Sequence, residues 1–239
     1  MVRYGHLALR PVLLKKCLSC GLESCPIFSF LRETELSAIE KIKKCFLLKK
    51  GAVLFSEGDA NGGFYIVRSG LLKVYKSCWR GPNLTFRFAK PGDIVDLASY
   101  RDERNSVSIE SLGESRVCFF ETKPLDAFLS RFPRVALELL SRACRELKVT
   151  RYKTLDIIYH PVASRLAHLL LYLRDAGLGV YLSREEMAQA VGCSLETMIR
   201  LVSQLRKKGV IKIKNRELSI ADPNALTSLT DGRLNHGWQ

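Results

Sequence analysis

SREEMAQAVGCSLETMIRLVSQLRKKGVI, Ser183 to Ile211, reads as two short helices joined at Gly192. Ser183 is a helix-capping residue, and Glu185 and Glu186 put negative charge in the first turn, where the helix dipole favours it. In the second helix Glu196, Ile199, Arg200 and Ser203 fall on one face, and Leu195, Met198, Val202 and Leu205 on another. Helical residues three and four apart are neighbours, so the first set is predicted to form an exposed patch and the second a core seam. A guanidinium and a carboxylate one turn apart match the edge of a G·C pair: the first meets G O6 and N7, the second the amino group of C. This is the layout of a helix-turn-helix whose second helix enters the major groove. VIKIKNRELSI, which follows, predicts a β-hairpin turning near Asn215. The whole is a winged helix-turn-helix, and it implies a DNA partner.

The charge agrees. The 239 residues carry 38 Lys and Arg against 24 Asp and Glu, a formal net charge of +14 that favours a polyanion. The excess is not concentrated in the motif: from Tyr159 onward there are 11 basic and 7 acidic residues, a net +4. Lys207, Lys208, Lys212 and Lys214 either meet phosphates or solvate the wing. No apolar run reaches the roughly 18 residues a bilayer span needs. The opening MVRYGHLALRPVLLKKCLSCG lacks the long apolar segment of a secretory signal, so a cytoplasmic protein with reduced cysteines is expected.

Upstream of the motif the chain changes style twice. From Lys49 to Glu121 short β-type runs are punctuated by glycine, with turn signals every 8 to 12 residues, which predicts a small antiparallel barrel or roll. From Pro124 to Ile158 the pattern is helical. Beyond Pro133, Leu137, Leu140, Cys144, Leu147, Arg151, Thr154 and Ile158 recur at spacings of three and four. So long a helix with a narrow apolar stripe packs on its own barrel or pairs with a copy of itself, and pairing is the favoured reading. The expected interface is Leu140, Cys144, Leu147, Thr150, Arg151, Thr154 and Ile158. Pro161 opens a further helix.

SGLLKVY (Ser69 to Tyr75), KPGDIV (Lys90 to Val95) and the E-T-x-x-R of Glu196, Thr197 and Arg200 together resemble the CRP/FNR family of bacterial transcription regulators. The resemblance runs from about Cys17 to Leu226. It implies an α+β fold: an N-terminal antiparallel β-roll of the cyclic-nucleotide-binding type, a long dimerisation helix and a C-terminal winged helix-turn-helix. The expected divisions are a cysteine-rich leader at 1–28, the roll at 29–123, the helix at 124–158 and the DNA-binding domain at 159–239. A non-enzymatic homodimer on palindromic double-stranded DNA, with RNA polymerase as partner, is also implied. Glu196 and Arg200 match the family positions that recognise a T-G-A core, with Thr197 and Ser203 as further expected DNA-binding residues, while Ile199 replaces the serine usual in the FNR branch and could touch a thymine methyl.

Eight cysteines narrow the resemblance further. Cys17, Cys20 and Cys25 crowd into nine residues of the leader. Soft thiolates suit zinc, copper(I) or an iron–sulfur cluster, and a 4Fe-4S cluster takes four of them. In the oxygen-sensing FNR branch the fourth ligand lies on a late strand of the roll, where this chain has Cys118. The resemblance thus implies a 4Fe-4S cluster on Cys17, Cys20, Cys25 and Cys118, although the second and third cysteines are one residue closer than is usual there. A zinc-binding or thiol-based redox switch on the same scaffold stays open. Cys45 and Cys144 are read as structural residues on helical faces, Cys78 as a loop residue and Cys193 as part of the motif's turn. After KPGDIV the Gly-Glu pair of the CRP nucleotide pocket is missing, Asp96 and Asp102 would repel a phosphate, and Arg104 and Ser106 are not adjacent. No cyclic nucleotide is expected.

Overall fold

The computed structural model describes residues 12–14, 25, 27–78, 81–178, 182–214 and 217–230. The chain divides into two compact units, residues 1–76 with 88–143, and residues 77–87 with 144–239.

The first unit is built on a β-roll. β1 (Val12–Leu14), β2 (Lys43–Leu48), β4 (Gly63–Ser69), β7 (Ile94–Val95) and β9 (Ser115–Glu121) form one sheet, in the order β1-β2-β9-β4-β7. A second sheet has the order β3-β8-β5-β6, from β3 (Val53–Phe55), β5 (Leu72–Lys76), β6 (Leu84–Ala89) and β8 (Ser108–Ser111). Side chains alternate across a strand, so each sheet has two faces to bury. Leu48, Val67, Leu72, Val74, Ile109 and Val117 fill the interior between the sheets. Residues one step along the same strands, Cys45, Ile66, Cys118 and Phe120, join another core with Cys25, Ile27, Phe28, Ile39 of α1 (Glu33–Ile42), Leu125 of α2 (Thr122–Arg131) and Leu139. The five-stranded sheet is therefore covered on both faces. Gly70 turns the chain from β4 to β5 with φ 84°, and a side chain there would collide with Ser115 Oγ and the Glu114 carbonyl.

Two expectations need correction. The segment holding Cys45 is strand β2, not a helix. The helical stretch expected as a single element from Pro124 is two helices: α2 ends at Arg131, and α3 runs Pro133–Tyr159. Phe132, with φ −127° and ψ 70°, breaks them apart, because a residue before proline is pushed out of the helical region.

The second unit is helical with a wing. It contains α4 (Val162–Asp175), α5 (Arg184–Val191), α6 (Leu195–Lys207), the hairpin β10 (Ile211–Lys214) with β11 (Glu217–Ile220), and α7 (Pro223–Ser228). α4 buries Leu166, Ala167, Leu169, Leu170 and Leu173 together with Ser164, Arg165 and His168, so it is a central rather than an amphipathic surface helix. His168 Nδ1 lies 3.2 Å from Asp156 Oδ1. The Arg165 guanidinium donates to the carbonyl of Val191 at the end of α5. The hairpin turn expected at Asn215 falls outside the described residues. Among the described residues no helix is long and apolar enough to cross a membrane.

Candidate DNA interface and thiol site

The helix-turn-helix is set by local chemistry. Ser183 caps α5 in a reciprocal box: its hydroxyl accepts from Glu186 N at 3.1 Å, while the Glu186 carboxylate accepts from Ser183 N at 2.6 Å. Gly192 ends α5 in the left-handed conformation at φ 70°, which costs glycine little, and this turns the chain toward α6. Ser194 then caps α6 by accepting from Thr197 N at 3.1 Å. The Thr197 hydroxyl is engaged with the Ser194 hydroxyl at 2.9 Å, so it helps to hold the N-terminus of the helix.

On α6 the sequence-derived faces separate almost as expected. Met198, Val202 and Leu205 are buried, whereas Glu196, Ile199, Arg200 and Ser203 are exposed together on the opposite side. Leu195 is the exception. It was assigned to the seam, yet it is 44 % exposed, as the first residue of the helix with no preceding turn to cover it. Lys207, Lys208, Lys212 and Lys214 are all exposed. Arg184 has its proton affinity lowered by burial and then by the Arg206 guanidinium.

On α3 all seven expected interface residues, Leu140, Cys144, Leu147, Thr150, Arg151, Thr154 and Ile158, are solvent-exposed. Leu137, Leu155 and Tyr159 extend the apolar stripe. Exposed leucines repeated along one helix are not what an isolated chain normally tolerates.

Cys17 and Cys20 lie outside the described residues. Cys25 and Cys118 are both buried and belong to the same core. On β9, Val117 points into the roll and Cys118 to the outer face, the face that Cys25, Ile27 and Phe28 cover. Burial pushes the Cys25 thiol up; a hydrogen bond from the Ile27 backbone and the Arg68 and Arg142 guanidinium groups oppose that shift. Among the described residues no three His, Cys, Asp or Glu side chains are grouped closely enough to hold a metal ion. Cys45, outside the expected ligand set, sits directly opposite Cys118 on β2, with its Sγ 3.5 Å away.

The segment after KPGDIV is tied up internally. Asp96 is 6 % exposed in a left-handed backbone conformation, and its carboxylate accepts from Ser99 Oγ at 2.8 Å and Ser106 Oγ at 3.0 Å. Arg104 donates to the Gly58 carbonyl at 2.7 Å. Both serine hydroxyls hold the Asp96 carboxylate inside the loop.

Comparison with known proteins agrees with this architecture. Residues 46–132 match the cyclic nucleotide-binding domain, and residues 164–229 match the Crp-like helix-turn-helix domain. The transcriptional activator protein Anr of Pseudomonas aeruginosa is 28 % identical over 228 residues, covering 91 % of this chain and 93 % of its own. The chain belongs to the CRP/FNR family. The nitrogen fixation regulation protein FixK of Bradyrhizobium diazoefficiens is 27 % identical, covering 89 % of this CRP/FNR chain and 93 % of its own. An anaerobic regulatory protein of Haemophilus influenzae is 26 % identical, with 90 % and 87 % covered. In fold it resembles a CRP-family transcriptional regulator of Thermus thermophilus, with TM-score 0.72 at 20 % identity, covering 80 % of this chain and 98 % of that one. FixK2 of Bradyrhizobium japonicum gives TM-score 0.69 at 22 % identity, with 79 % and 97 % covered. This CRP/FNR protein is thus a DNA-binding transcription regulator, and its relatives are regulators rather than enzymes.

Proposed function

We propose that this regulator controls genes in response to oxygen, through a cysteine-ligated 4Fe-4S cluster that governs its dimerisation and its hold on palindromic DNA. The observation that carries this reading is the orientation of Cys118: it faces the surface of the sheet that Cys25 also covers. Cys17, Cys20, Cys25 and Cys118 would be the ligands. The described half of this set fits, being two buried thiols in one core, where soft donors and low water access suit such a group. The similarity to Anr and to anaerobic regulatory proteins supports the same choice. When bound, the cluster supplies an oxygen-labile crosslink between four sulfurs.

The protein's own residues do the rest. Cys25 and Cys118 tie the leader to the sheet face on which α1 and α2 also pack. The exposed stripe of α3 pairs with its copy, and Arg151, Thr150 and Thr154 interrupt the seam, so association stays weak enough for a local change to shift it. Two α6 helices held by one dimer then reach two half-sites one DNA turn apart, with Glu196 and Arg200 on the G·C pair of a T-G-A core and Ile199 beside a thymine methyl. Joint binding raises the effective concentration of the second half-site. RNA polymerase is the expected protein partner, and the cytoplasm the expected compartment. The internal bonding of Asp96 argues against a cyclic nucleotide as effector.

Protein purified without air tests the reading. Iron and acid-labile sulfide in about fourfold amounts per chain are expected, with dimer mass and promoter affinity falling together on exposure to air. Cys118→Ser should lose the iron. A colourless protein that holds zinc, or one whose affinity ignores air, contradicts it.

A further inference from the structure

The buried pair Cys45 and Cys118 has no part in the reading above beyond Cys118 as a ligand, yet their sulfurs are in direct contact. Cys45 and Cys118 are directly opposed across the antiparallel β2–β9 ladder, in register between Lys44↔Phe119 and Phe46↔Val117. Opposed residues in such a ladder have Cα atoms about 4.5–5.5 Å apart, inside the about 4.4–6.8 Å window of disulfides. Both side chains leave the same face, and the two Sγ atoms are 3.5 Å apart, so closing a bond near 2.05 Å asks for a movement of about 1.5 Å. None of the described cysteines is joined in a disulfide, so the pair is in its dithiol form here.

We propose that Cys45 and Cys118 form a cross-strand dithiol–disulfide couple, a second redox site that takes a peroxide as its oxidant. Cys45 is the entry point, being 6 % exposed against 1 % for Cys118. The Cys45 thiolate attacks one peroxide oxygen, the O–O bond breaks, and a sulfenic acid and hydroxide result. The Cys118 sulfur then attacks the Cys45 sulfur; the S–S bond forms, the sulfenic oxygen leaves as water with the Cys118 proton, and the hydroxide is protonated by the medium. Two electrons pass from two sulfurs to the peroxide, and thiol exchange reverses the change. The couple does not require that a cluster binds. If Cys118 is a ligand, as proposed above, the disulfide withdraws it, and a brief peroxide exposure blocks cluster assembly until a reductant acts.

The experiment uses the full chain, metal-free, treated with hydrogen peroxide, alkylated in denaturant and digested. Mass spectrometry should find a peptide pair joined through Cys45 and Cys118, abolished by dithiothreitol and absent from Cys45→Ser. Cys78 and Cys144, which are exposed, serve as alkylated internal references. Recovery of Cys45 and Cys118 fully alkylated, or of Cys118 joined mainly to a leader cysteine, overturns the proposal. Should Cys45→Ser fold poorly, as circular dichroism would reveal, the wild-type crosslink map alone decides. Anaerobic iron content measured on untreated wild type and on Cys45→Ser separates this from the cluster reading. Iron in both with no crosslink sinks only the couple, and a crosslink in a protein that never takes iron sinks only the cluster.

Discussion

Lys153 of α3 donates its buried ammonium to the main-chain carbonyl of Thr85, 68 residues earlier in the chain, at 2.5 Å. It also donates to the Phe86 carbonyl at 2.9 Å, and nearby Arg87 pairs with Glu146 at 3.0 Å. These bonds fasten α3 to the beginning of β6. Burial lowers the Lys153 pKa to about 7, with Asp156 partly opposing the shift. The unfolded lysine titrates near 10.5, so between these values the unfolded chain holds the proton that the folded one has released. Stability carried by this group therefore rises as pH goes from about 7 toward about 10 and is flat below. Urea midpoints for wild type and Lys153→Met should diverge in favour of wild type across that window. Parallel curves would show that the ammonium keeps its proton in the fold.

Removing the Ser194 hydroxyl should weaken α6 without touching its exposed face. Ser194→Ala loses the bond from Thr197 N and leaves the Thr197 hydroxyl without its present partner. The expected cost is about 0.5–2 kcal/mol, visible as a lower urea midpoint for the second unit. Ser194→Asp should restore most of it, since a carboxylate caps as well and favours the positive end of the dipole. A midpoint unchanged in the alanine variant would mean that the tertiary packing of Met198 and Val202 alone sets this helix.

What the sequence made legible was whatever is periodic. Glu196, Ile199, Arg200 and Ser203 could be put on one face because a helix repeats every 3.6 residues regardless of what it packs against. Gly192 and Ser183 were readable for a related reason, since caps and left-handed turns are decided by the residues themselves. Cys45 was not readable. CFLL, after Lys43 and Lys44, is a short apolar run, which fits a buried strand or a helix equally, and only its pairing with β9 makes it part of β2. The same pairing is what brings Cys45 to Cys118, 73 residues away. Asp96 was not legible as the acceptor for Ser99 and Ser106, which takes the folded loop to see. The break at Phe132 was missed although Pro133 signals it.

Arg200→Ala should relax specificity at one base pair of each half-site rather than abolish binding. Arg200 is exposed on α6 beside Glu196, and a bidentate guanidinium contact with guanine is worth about 1–3 kcal/mol of discrimination, roughly 5- to 150-fold. Competition binding with the G·C pair replaced by A·T would read it, the penalty shrinking in the variant. Arg200→Lys should recover only part, because an ammonium cannot present two fixed donors. An equal loss on every sequence would instead assign Arg200 to a phosphate.

The stripe on α3 makes the remaining prediction. Leu140 and Ile158 are 60 % and 64 % exposed, and Leu147, between them, is 51 % exposed. None is part of the buried core, so substituting one costs the isolated fold little, whereas in a symmetric pair each would meet its own copy near the axis. Leu147→Glu sets two carboxylates against each other there and removes apolar contact at the same time. Sedimentation should show monomer where wild type under its active condition is dimer, with thermal stability nearly retained. Affinity for a palindrome should fall toward that for a single half-site, while half-site affinity stays the same, since α6 is untouched. Arg145→Glu is the charge control: it also introduces a carboxylate, with a larger change of charge, on an exposed residue outside the stripe, and should leave the dimer intact. A Leu147→Glu protein that still sediments as a dimer would move the interface off this helix.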